Sequence, residues 1–185
     1  MQKFQLELLF QIIGIGSASG LVFKNNSLFI ISDNSSVLYE YNMESKNLES
    51  HKILETASGM PTENIPKAQK PDFESIADFG EDCYIFGSGS TENRNKMVHF
   101  DANQKQKISE TDVSYLYTVM QSFGKTNPED FNIEGAVYNG ETWFLFNRGN
   151  GASGKNGIFT IGGENLVDNF SVLYNSYKLP KIKGI

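Results

Sequence analysis

The sequence predicts an all-β fold made of repeated four-stranded antiparallel sheets, and three observations support it. Residues 19–34, 74–89 and 134–149 align with one another without a gap, so the chain repeats itself. Each copy places a turn between two short apolar runs, which is the pattern of a β-hairpin. Weaker apolar runs follow each hairpin. Four antiparallel strands per repeat form one blade of a β-propeller, so we expect three blades.

Each repeat begins with a predicted hairpin. The turns are residues 25–26, 80–82 and 139–140, where asparagine and glycine reach positive φ at low cost. The apolar runs before them are residues 21–23, 76–79 and 136–138, and those after them are residues 28–31, 83–86 and 143–146. The second runs are short and almost continuous, as in strands buried on both faces. We expect the aligned residues Ile30, Ile85 and Leu145 to be buried between neighbouring blades.

Further strands and one helix follow the hairpins. Third strands are predicted at residues 37–41, 96–100 and 157–161, and fourth strands at residues 48–54, 106–109 and 171–174. A short helix is predicted over residues 112–123, because apolar residues recur there at helical spacing. Thr111 or Asp112 can cap its start and Gly124 its end. Residues 57–71 contain three prolines and no apolar period, which indicates an ordered crossing or a mobile loop.

The repeats predict a single domain over residues 1–185, with blades at about 14–56, 70–110 and 130–175. Propellers have roughly four to eight blades, so three blades predict an incomplete ring that is truncated at its C-terminus. The open sheet faces and edges would be an aggregation hazard if they stayed uncovered. We expect missing C-terminal blades or a second copy of the chain to cover them.

The composition excludes several classes of protein. A net charge of −6 and a pI of about 5.0 disfavour binding to nucleic acid and to acidic membranes. Cys83, the only cysteine, excludes an intrachain disulfide and is interpreted as a core residue. No apolar run reaches the roughly 20 residues of a membrane helix. We expect a strand over residues 4–13, no signal peptide and a cytoplasmic location, because Glu7 interrupts the N-terminal apolar segment.

Four strings carry a family resemblance: PDFESIA at residues 71–77, GSGST at 87–91, NIEGA at 132–136 and NRGN at 147–150. Together they resemble an uncharacterised bacterial family of phytase- and esterase-like β-propellers, over roughly residues 19–161. The resemblance implies a propeller fold. It implies no settled activity, because the wider group includes calcium-dependent phosphatases, esterase-like proteins and members of unknown role.

Glu74 and Glu134 are the strongest candidates for a site, because they share one repeat position where the first strand of a blade begins. That strand lines the channel of a propeller, so the two carboxylates are expected to converge. Such a pair could hold Ca²⁺ or Mg²⁺, or could share a proton with one pKa raised. The Glu134-Gly135 pair resembles the xEG position at which gluconolactonase-type propellers place a channel metal on a glutamate. Alternatively, each carboxylate accepts backbone N–H groups from the next blade and fastens the blades.

Arg148 aligns with Asp33 and Ser88, so the three residues are expected at one end of the channel. With Asn147 and Asp33, Arg148 is predicted to bind a small or anionic ligand, because a guanidinium can clamp phosphate or carboxylate. Alternatively, Arg148 pairs with Glu134 or Asp130. Both interpretations bury or half-bury the guanidinium.

Two function classes remain open. The first is a propeller that binds a small ligand or a divalent cation in its channel, with metal-dependent hydrolysis of a phosphate or carboxylic ester as an extension. The second is a non-catalytic scaffold for protein interactions. His51 and His99 lie at unrelated repeat positions, and the GxxxxGK-like residues 149–156 precede a β-like run, so neither a triad nor a nucleotide loop is predicted. No catalytic residue is assigned, and a hydrolase would need a metal-bound water.

Overall fold

A computed structural model describes residues 7–150 and 154–177 of the chain. Its strands form three four-stranded antiparallel sheets, which we call blades 1 to 3, and each sheet is arranged in chain order. Blade 1 contains β1 (Ala18–Lys24), β2 (Ser27–Ser32), β3 (Val37–Asn42) and β4 (Leu48–Lys52). Blade 2 contains β5 (Phe73–Phe79), β6 (Asp82–Gly87), β7 (Lys96–Asp101) and β8 (Gln106–Asp112). Blade 3 contains β9 (Ile133–Tyr138), β10 (Thr142–Asn147), β11 (Asn156–Gly163) and β12 (Phe170–Tyr177).

The blades are arranged as in a propeller. The inner strands β1, β5 and β9 lie next to one another in that order, and the other strands of each blade follow outward. The predicted all-β propeller fold is therefore confirmed, and the described residues form an arc that does not close into a ring. The inner strands β1, β5 and β9 all begin on the same side of the molecule, and we call this side the channel end.

Apolar side chains fill the two seams between blades. We call the seam between blades 1 and 2 the first seam and that between blades 2 and 3 the second seam. Ile85 of β6 packs in the first seam, together with Phe29 and Ile31 of β2. Leu145 of β10 packs in the seam with blade 2, where Phe86 is its neighbour in the core. The predicted burial of Ile85 and Leu145 between blades is confirmed, as is that of Cys83, which is fully buried in the first seam.

Ile30 is buried as predicted, but not between two blades. It lies on the face of blade 1 that is turned away from blade 2, where Ile12 and Ile15 pack against its cluster. The predicted strand over residues 4–13 is wrong for residues 7–13, which contain no strand, and residues 4–6 lie outside the described residues. Because this segment crosses the face of blade 1, its backbone cannot join the hydrogen-bonded ladder at a sheet edge.

The helix α1 (Ser114–Gly124) joins blades 2 and 3, as predicted, and buries Leu116, Tyr117 and Met120 in the second seam. The predicted N-terminal cap at Thr111 or Asp112 is wrong, because Val113 is the N-cap residue. Asp112, one residue earlier, still accepts the backbone N–H of Ser114 at 2.7 Å. The predicted C-terminal cap was wrong. Gly124 is the last helical residue and packs against Phe159, and Lys125 takes the left-handed conformation with φ 49°.

Residues 57–71, which we call the connector, join blade 1 to blade 2 without a regular element. The connector is ordered by backbone hydrogen bonds to blade 1. Ser36 N–H donates to Thr62 O at 2.8 Å, and Ile65 N–H donates to Asn34 O at 2.9 Å. Of the two alternatives that the prolines left open, the structure supports the ordered crossing.

The two terminal blades expose apolar side chains on the faces that have no neighbouring blade. Leu21 and Phe23 of β1 are each 62% exposed, and Val137 and Leu173 of blade 3 are also exposed. Phe144 and Phe146 are only half-buried, so the predicted burial of the second strand on both faces fails for β10, whose outer face has no blade against it. Among the described residues, no helix is long and apolar enough to cross a membrane.

We predict that Ile85→Ala lowers the free energy of unfolding by about 2 to 5 kcal/mol, because truncation leaves a cavity in the first seam. Denaturant titration measures the change. The matched control is Ile108→Ala on β8, where the side chain is exposed and the expected change is within about 0.5 kcal/mol. Equal effects of the two substitutions would contradict the repeat alignment.

Candidate functional site

Each inner strand carries a β-bulge near the channel end. The ladder with the second strand shifts between Ala18 and Gly20, between Phe73 and Ser75, and next to Asn147 in blade 3. The extra residues are Ser19, Glu74 and Glu134. A bulge takes its extra residue out of the ladder and redirects its side chain. The repeat position singled out in the sequence is therefore a bulge in all three blades.

Asp72, just before β5, is the residue around which the ionic groups gather. Its backbone is in the left-handed region, with φ 54°. Its carboxylate receives Lys70 Nζ at 2.6 Å, Ser88 Oγ at 2.6 Å and Arg94 NH1 at 2.9 Å. Burial opposes its ionisation, but the hydrogen bonds from Lys70 and Ser88 and the charge of Arg94 lower the pKa of Asp72. Asp72 is therefore held as a carboxylate.

Asp33, directly after β2, faces Asp72 across the first seam. The Asp72 N–H donates to Asp33 O at 2.9 Å, and this backbone bond brings the two side chains together. One oxygen of the Asp33 carboxylate binds the ammonium of Lys70. The other oxygen, Oδ1, is buried and has no hydrogen-bond partner. One carboxylate oxygen from each of Asp33, Asp72 and Glu74 lies within 4.8 Å of the other two.

Glu74 is the member of this group that changes protonation near neutral pH. Burial, followed by the negative charges of Glu134, Asp72 and Asp33, raises the pKa of Glu74 to about 7. The positive charge of Lys70 acts in the opposite direction. Glu74 and Glu134 thus interact electrostatically, and the raised pKa of Glu74 leaves open whether the pair also holds a metal.

Glu134 pairs with groups of its own blade. Its Oε1 lies 3.0 Å from Arg148 NH1 and accepts a hydrogen bond from the side chain of Asn132. The Arg148 side chain is 59% exposed, so the expectation that its guanidinium is at least half-buried was wrong. The described structure has no blade beyond blade 3 that could cover it. Arg148 Nε also donates to Asn150 Oδ1 at 3.1 Å.

Asn147 is buried and both ends of its amide bind backbone. Its Oδ1 accepts the N–H of Asn132 at 2.9 Å, and its Nδ2 donates to Arg148 O at 3.2 Å. These bonds hold the start of β9 against the end of β10. Among the predicted ligand-binding residues, Arg148 and Asp33 retain exposed or unpartnered polar atoms, whereas Asn147 supports the backbone.

The blades are fastened at the channel end by backbone groups. Besides the bond from Asp72 to Asp33, Ile133 N–H donates to Ser88 O at 2.8 Å across the second seam. Ser19 Oγ donates to Phe73 O across the first seam. In the described structure no backbone N–H donates to the carboxylate of Glu74 or Glu134. The alternative in which these glutamates fasten the blades through backbone N–H groups is therefore not what the structure shows.

Sequence reasoning missed Lys70, Asp72 and Arg94. Asp72 stands two residues before Glu74, as Asn132 stands two residues before Glu134, and this repeat position was a usable signal. Lys70 and Arg94 lie outside the repeated segments, in the connector and in a turn of 3-10 helix at Glu92–Arg94. No pattern in the sequence predicts their approach to Asp72.

The histidines lie apart from this group, as predicted. His51 Nε2 is 2.8 Å from Glu40, and His99 Nε2 is 2.7 Å from Asp82. Glu40, Glu49 and His51 form a second group whose ligand atoms lie within 4.8 Å of one another. Glu40 there is satisfied by His51, by Ser27 Oγ at 2.9 Å and by Lys105 Nζ at 3.0 Å. We interpret this group as a clamp between blades 1 and 2.

A cavity of about 270 Å³ lies beside the connector, and its lining includes Leu54, Ile65 and Pro71. None of the carboxylates of Asp33, Asp72, Glu74 and Glu134 lines it. The acidic groups of the channel end are therefore separate from this cavity. Of the GxxxxGK-like loop, residues 151–153 lie outside the described residues, and β11 follows it as expected.

We predict that the free energy of unfolding falls as pH rises from 5 to 8, by about 1 to 2 kcal/mol through Glu74, because solvent screening of this half-buried carboxyl reduces the effect of its raised pKa. The folded state binds the Glu74 proton up to about pH 7, while an unfolded glutamate releases it near the ordinary value of 4.5. Stability from this proton is present at low pH and lost above the folded pKa. The lowered pKa of Asp72 acts below this range, so the two contributions separate.

Denaturant midpoints of the wild type and of Glu74→Gln between pH 5 and 8 test this. The variant is expected to lose most of the pH dependence, and Glu141→Gln, on an exposed turn, is the control that keeps it. Identical pH profiles for the wild type and Glu74→Gln would contradict the raised pKa.

The chain was compared with known proteins, and no curated protein matched its sequence. Solved structures that resemble it include the WD40 repeats of RRP9, with 10% identity and a TM-score of 0.44 over 79% of this chain and 35% of that chain. The structure of U3-55K has 11% identity and a TM-score of 0.48 over 86% of this chain and 39% of that chain. Glutaminyl cyclase of Myxococcus xanthus has 17% identity and a TM-score of 0.45 over 89% of this chain and 58% of that chain. The chain thus spans less than two thirds of the length of each.

A protein-family model gives the family. It is described as a family of unknown function, DUF6929, and it matches residues 14–185, which include all three blades and every acidic residue of the channel end. The chain therefore belongs to the DUF6929 family of unknown function.

Proposed function

We propose that this protein binds a divalent cation, Ca²⁺ or Mg²⁺, at the channel end through Asp33, Asp72 and Glu74. The proposal rests on one observation: these carboxylates place oxygens within 4.8 Å of one another, and Asp33 Oδ1 is buried there without a partner. Hard cations prefer carboxylate oxygens, and an orphaned buried acceptor is costly unless something binds it. Glu134 stands next to this group and can supply a further oxygen.

An anionic ligand can bind beside the cation. Arg148 is the exposed cationic side chain of the site, and its guanidinium still has donors beyond those used by Glu134 and Asn150. A phosphate or carboxylate bridging the cation and Arg148 would be recognised by charge on both sides. Asn147 contributes by holding the backbone that carries Arg148.

Cation binding predicts a rise in melting temperature when Ca²⁺ or Mg²⁺ is added at pH 8, where Glu74 is ionised. An ion at 100 times its Kd stabilises the folded state by about 2.7 kcal/mol, because it binds only that state. Asp33→Asn is expected to abolish most of the rise. The control is Asp168→Asn in the loop before β12, which has no role at the channel end. The proposal would be refuted if neither Ca²⁺ nor Mg²⁺ changed the melting temperature of the wild type.

Hydrolysis of a phosphate or carboxylic ester is a second candidate, in which Asp33 and Asp72 would hold the cation and Glu74, with its raised pKa, would exchange the proton. A carboxyl group that titrates near pH 7 is suited to general acid or base catalysis. A water bound to the cation would be the nucleophile, and Arg148 would orient the anionic substrate. The sequence resemblance to phytase- and esterase-like propellers of bacteria supports the same substrate classes.

Turnover of p-nitrophenyl phosphate and p-nitrophenyl acetate with Ca²⁺ or Mg²⁺ tests this candidate. We expect Glu74→Gln to lower kcat by about 100-fold or more, in keeping with the loss of a general acid or base, while the fold survives. Glu141→Gln is expected to leave kcat unchanged. If neither ester is turned over, the binding function remains without the hydrolase.

A scaffold is the non-catalytic alternative, and the exposed apolar residues Leu21 and Phe23 favour it. Apolar patches of this kind often mark interaction surfaces. Further blades of the same repeat, or a second copy of the chain, would bury them in a cytoplasmic protein. Absence of both ion binding and turnover, with association in light scattering, would support the scaffold.

A further inference from the structure

Lys70 places its ammonium group among the carboxylates that would hold the cation. Its Nζ binds the Asp33 carboxylate and lies 2.6 Å from Asp72 Oδ1, and only 15% of the side chain is exposed. Lys70 binds Oδ2 of Asp33, while the unpartnered Oδ1 belongs to the same carboxylate, so the ammonium neutralises carboxylates that a cation would need. A divalent cation at this group would therefore compete with the Lys70 ammonium for the charge of Asp33 and Asp72.

The main chain of Lys70 is held firmly from blade 2. Asn93 Nδ2 donates to Lys70 O at 3.1 Å, and Arg94 NH2 donates to Lys67 O at 3.1 Å. Pro71 follows and fixes its own φ. The backbone therefore keeps Lys70 at the site, while its four-carbon side chain retains the rotations needed to swing out.

Arg94, the other cation at Asp72, is not free to move in this way. Its guanidinium binds Asp72, Ser90 Oγ at 2.7 Å and the Lys67 carbonyl at once. A planar fork with three partners is held more rigidly than an ammonium with two. Lys70 is therefore the side chain that a divalent ion can displace from Asp72.

We propose that Lys70 is an internal counter-ion that fills the cation site and is displaced when a divalent ion binds, so that it sets the affinity and the charge selectivity of the site. This inference rests on the cation binding proposed above. A monovalent ion brings no more charge than the ammonium it replaces, and gains little by exchange. A divalent ion brings twice the charge to the same carboxylates and can displace the lysine.

Calorimetric titration of the folded protein with Ca²⁺ and with Mg²⁺ at pH 8 tests the displacement. Lys70→Met removes the competing charge and is expected to lower the Kd at least about tenfold. Lys70→Arg keeps the charge and is expected to bind no more tightly than the wild type. Lys67→Met, on the exposed part of the connector, is the matched control and should leave the Kd unchanged.

The outcomes separate this inference from the proposed function. If the wild type binds and Lys70→Met binds no more tightly, the counter-ion role is overturned and cation binding stands. If only Lys70→Met binds, the counter-ion role is supported and cation binding by the natural chain is overturned. If neither protein binds, both are overturned.

A measurement on the wild type covers the case in which Lys70→Met does not fold. Acetylation by an N-hydroxysuccinimide ester, read by mass spectrometry, reports how exposed each lysine amine is. We expect Lys70 to be protected without Ca²⁺ and to react at least about fivefold faster when Ca²⁺ saturates the site, with Lys67 unchanged. Constant protection of Lys70 in saturating Ca²⁺ would overturn the displacement.

Discussion

Packing between the apolar faces of neighbouring blades is the interaction on which the rest of this structure depends. A four-stranded sheet cannot bury its own faces, so each blade is stable only against a neighbour. Ile85 and Phe86, consecutive residues of β6, enter opposite seams, and blade 2 is thereby covered on both sides. Among the residues that the structure describes, blades 1 and 3 have one seam each, and only blade 1 receives a partial cover, from Ile12 and Ile15. This unequal burial explains why large apolar side chains remain exposed at both ends of the arc.

The acidic site is a consequence of how the seams end. At the channel end, backbone bonds replace side-chain packing, and the bond from Asp72 N–H to Asp33 O sets two carboxylates face to face. The bulge then turns Glu74 out of its ladder and toward them. The same bulge in blade 1 carries Ser19, which only bonds the backbone of Phe73, so the repeat provides the geometry and the residue type decides the chemistry.

Charge balance explains how these groups share a small volume. Four carboxylates, those of Asp33, Asp72, Glu74 and Glu134, stand among the cations Lys70, Arg94 and Arg148. The cluster is neutral when Glu74 carries a proton, and it has one uncompensated negative charge when Glu74 ionises. The raised pKa of Glu74 and the lowered pKa of Asp72 are two results of the same arrangement.

The sequence by itself determined the three repeats, the order of the strands, the helix between blades 2 and 3 and the repeat position of Glu74 and Glu134. These follow from local patterns, since the apolar runs and the turn residues lie within a few positions of one another. It could not determine that Asp33, Lys70 and Arg94 meet at Asp72, or that the N-terminal segment crosses a sheet face. Those contacts join residues far apart in the chain, and only the packing of one blade against the next fixes the distance between them. The exposure of Arg148 was likewise decided by tertiary structure, because it depends on whether another blade lies beyond blade 3.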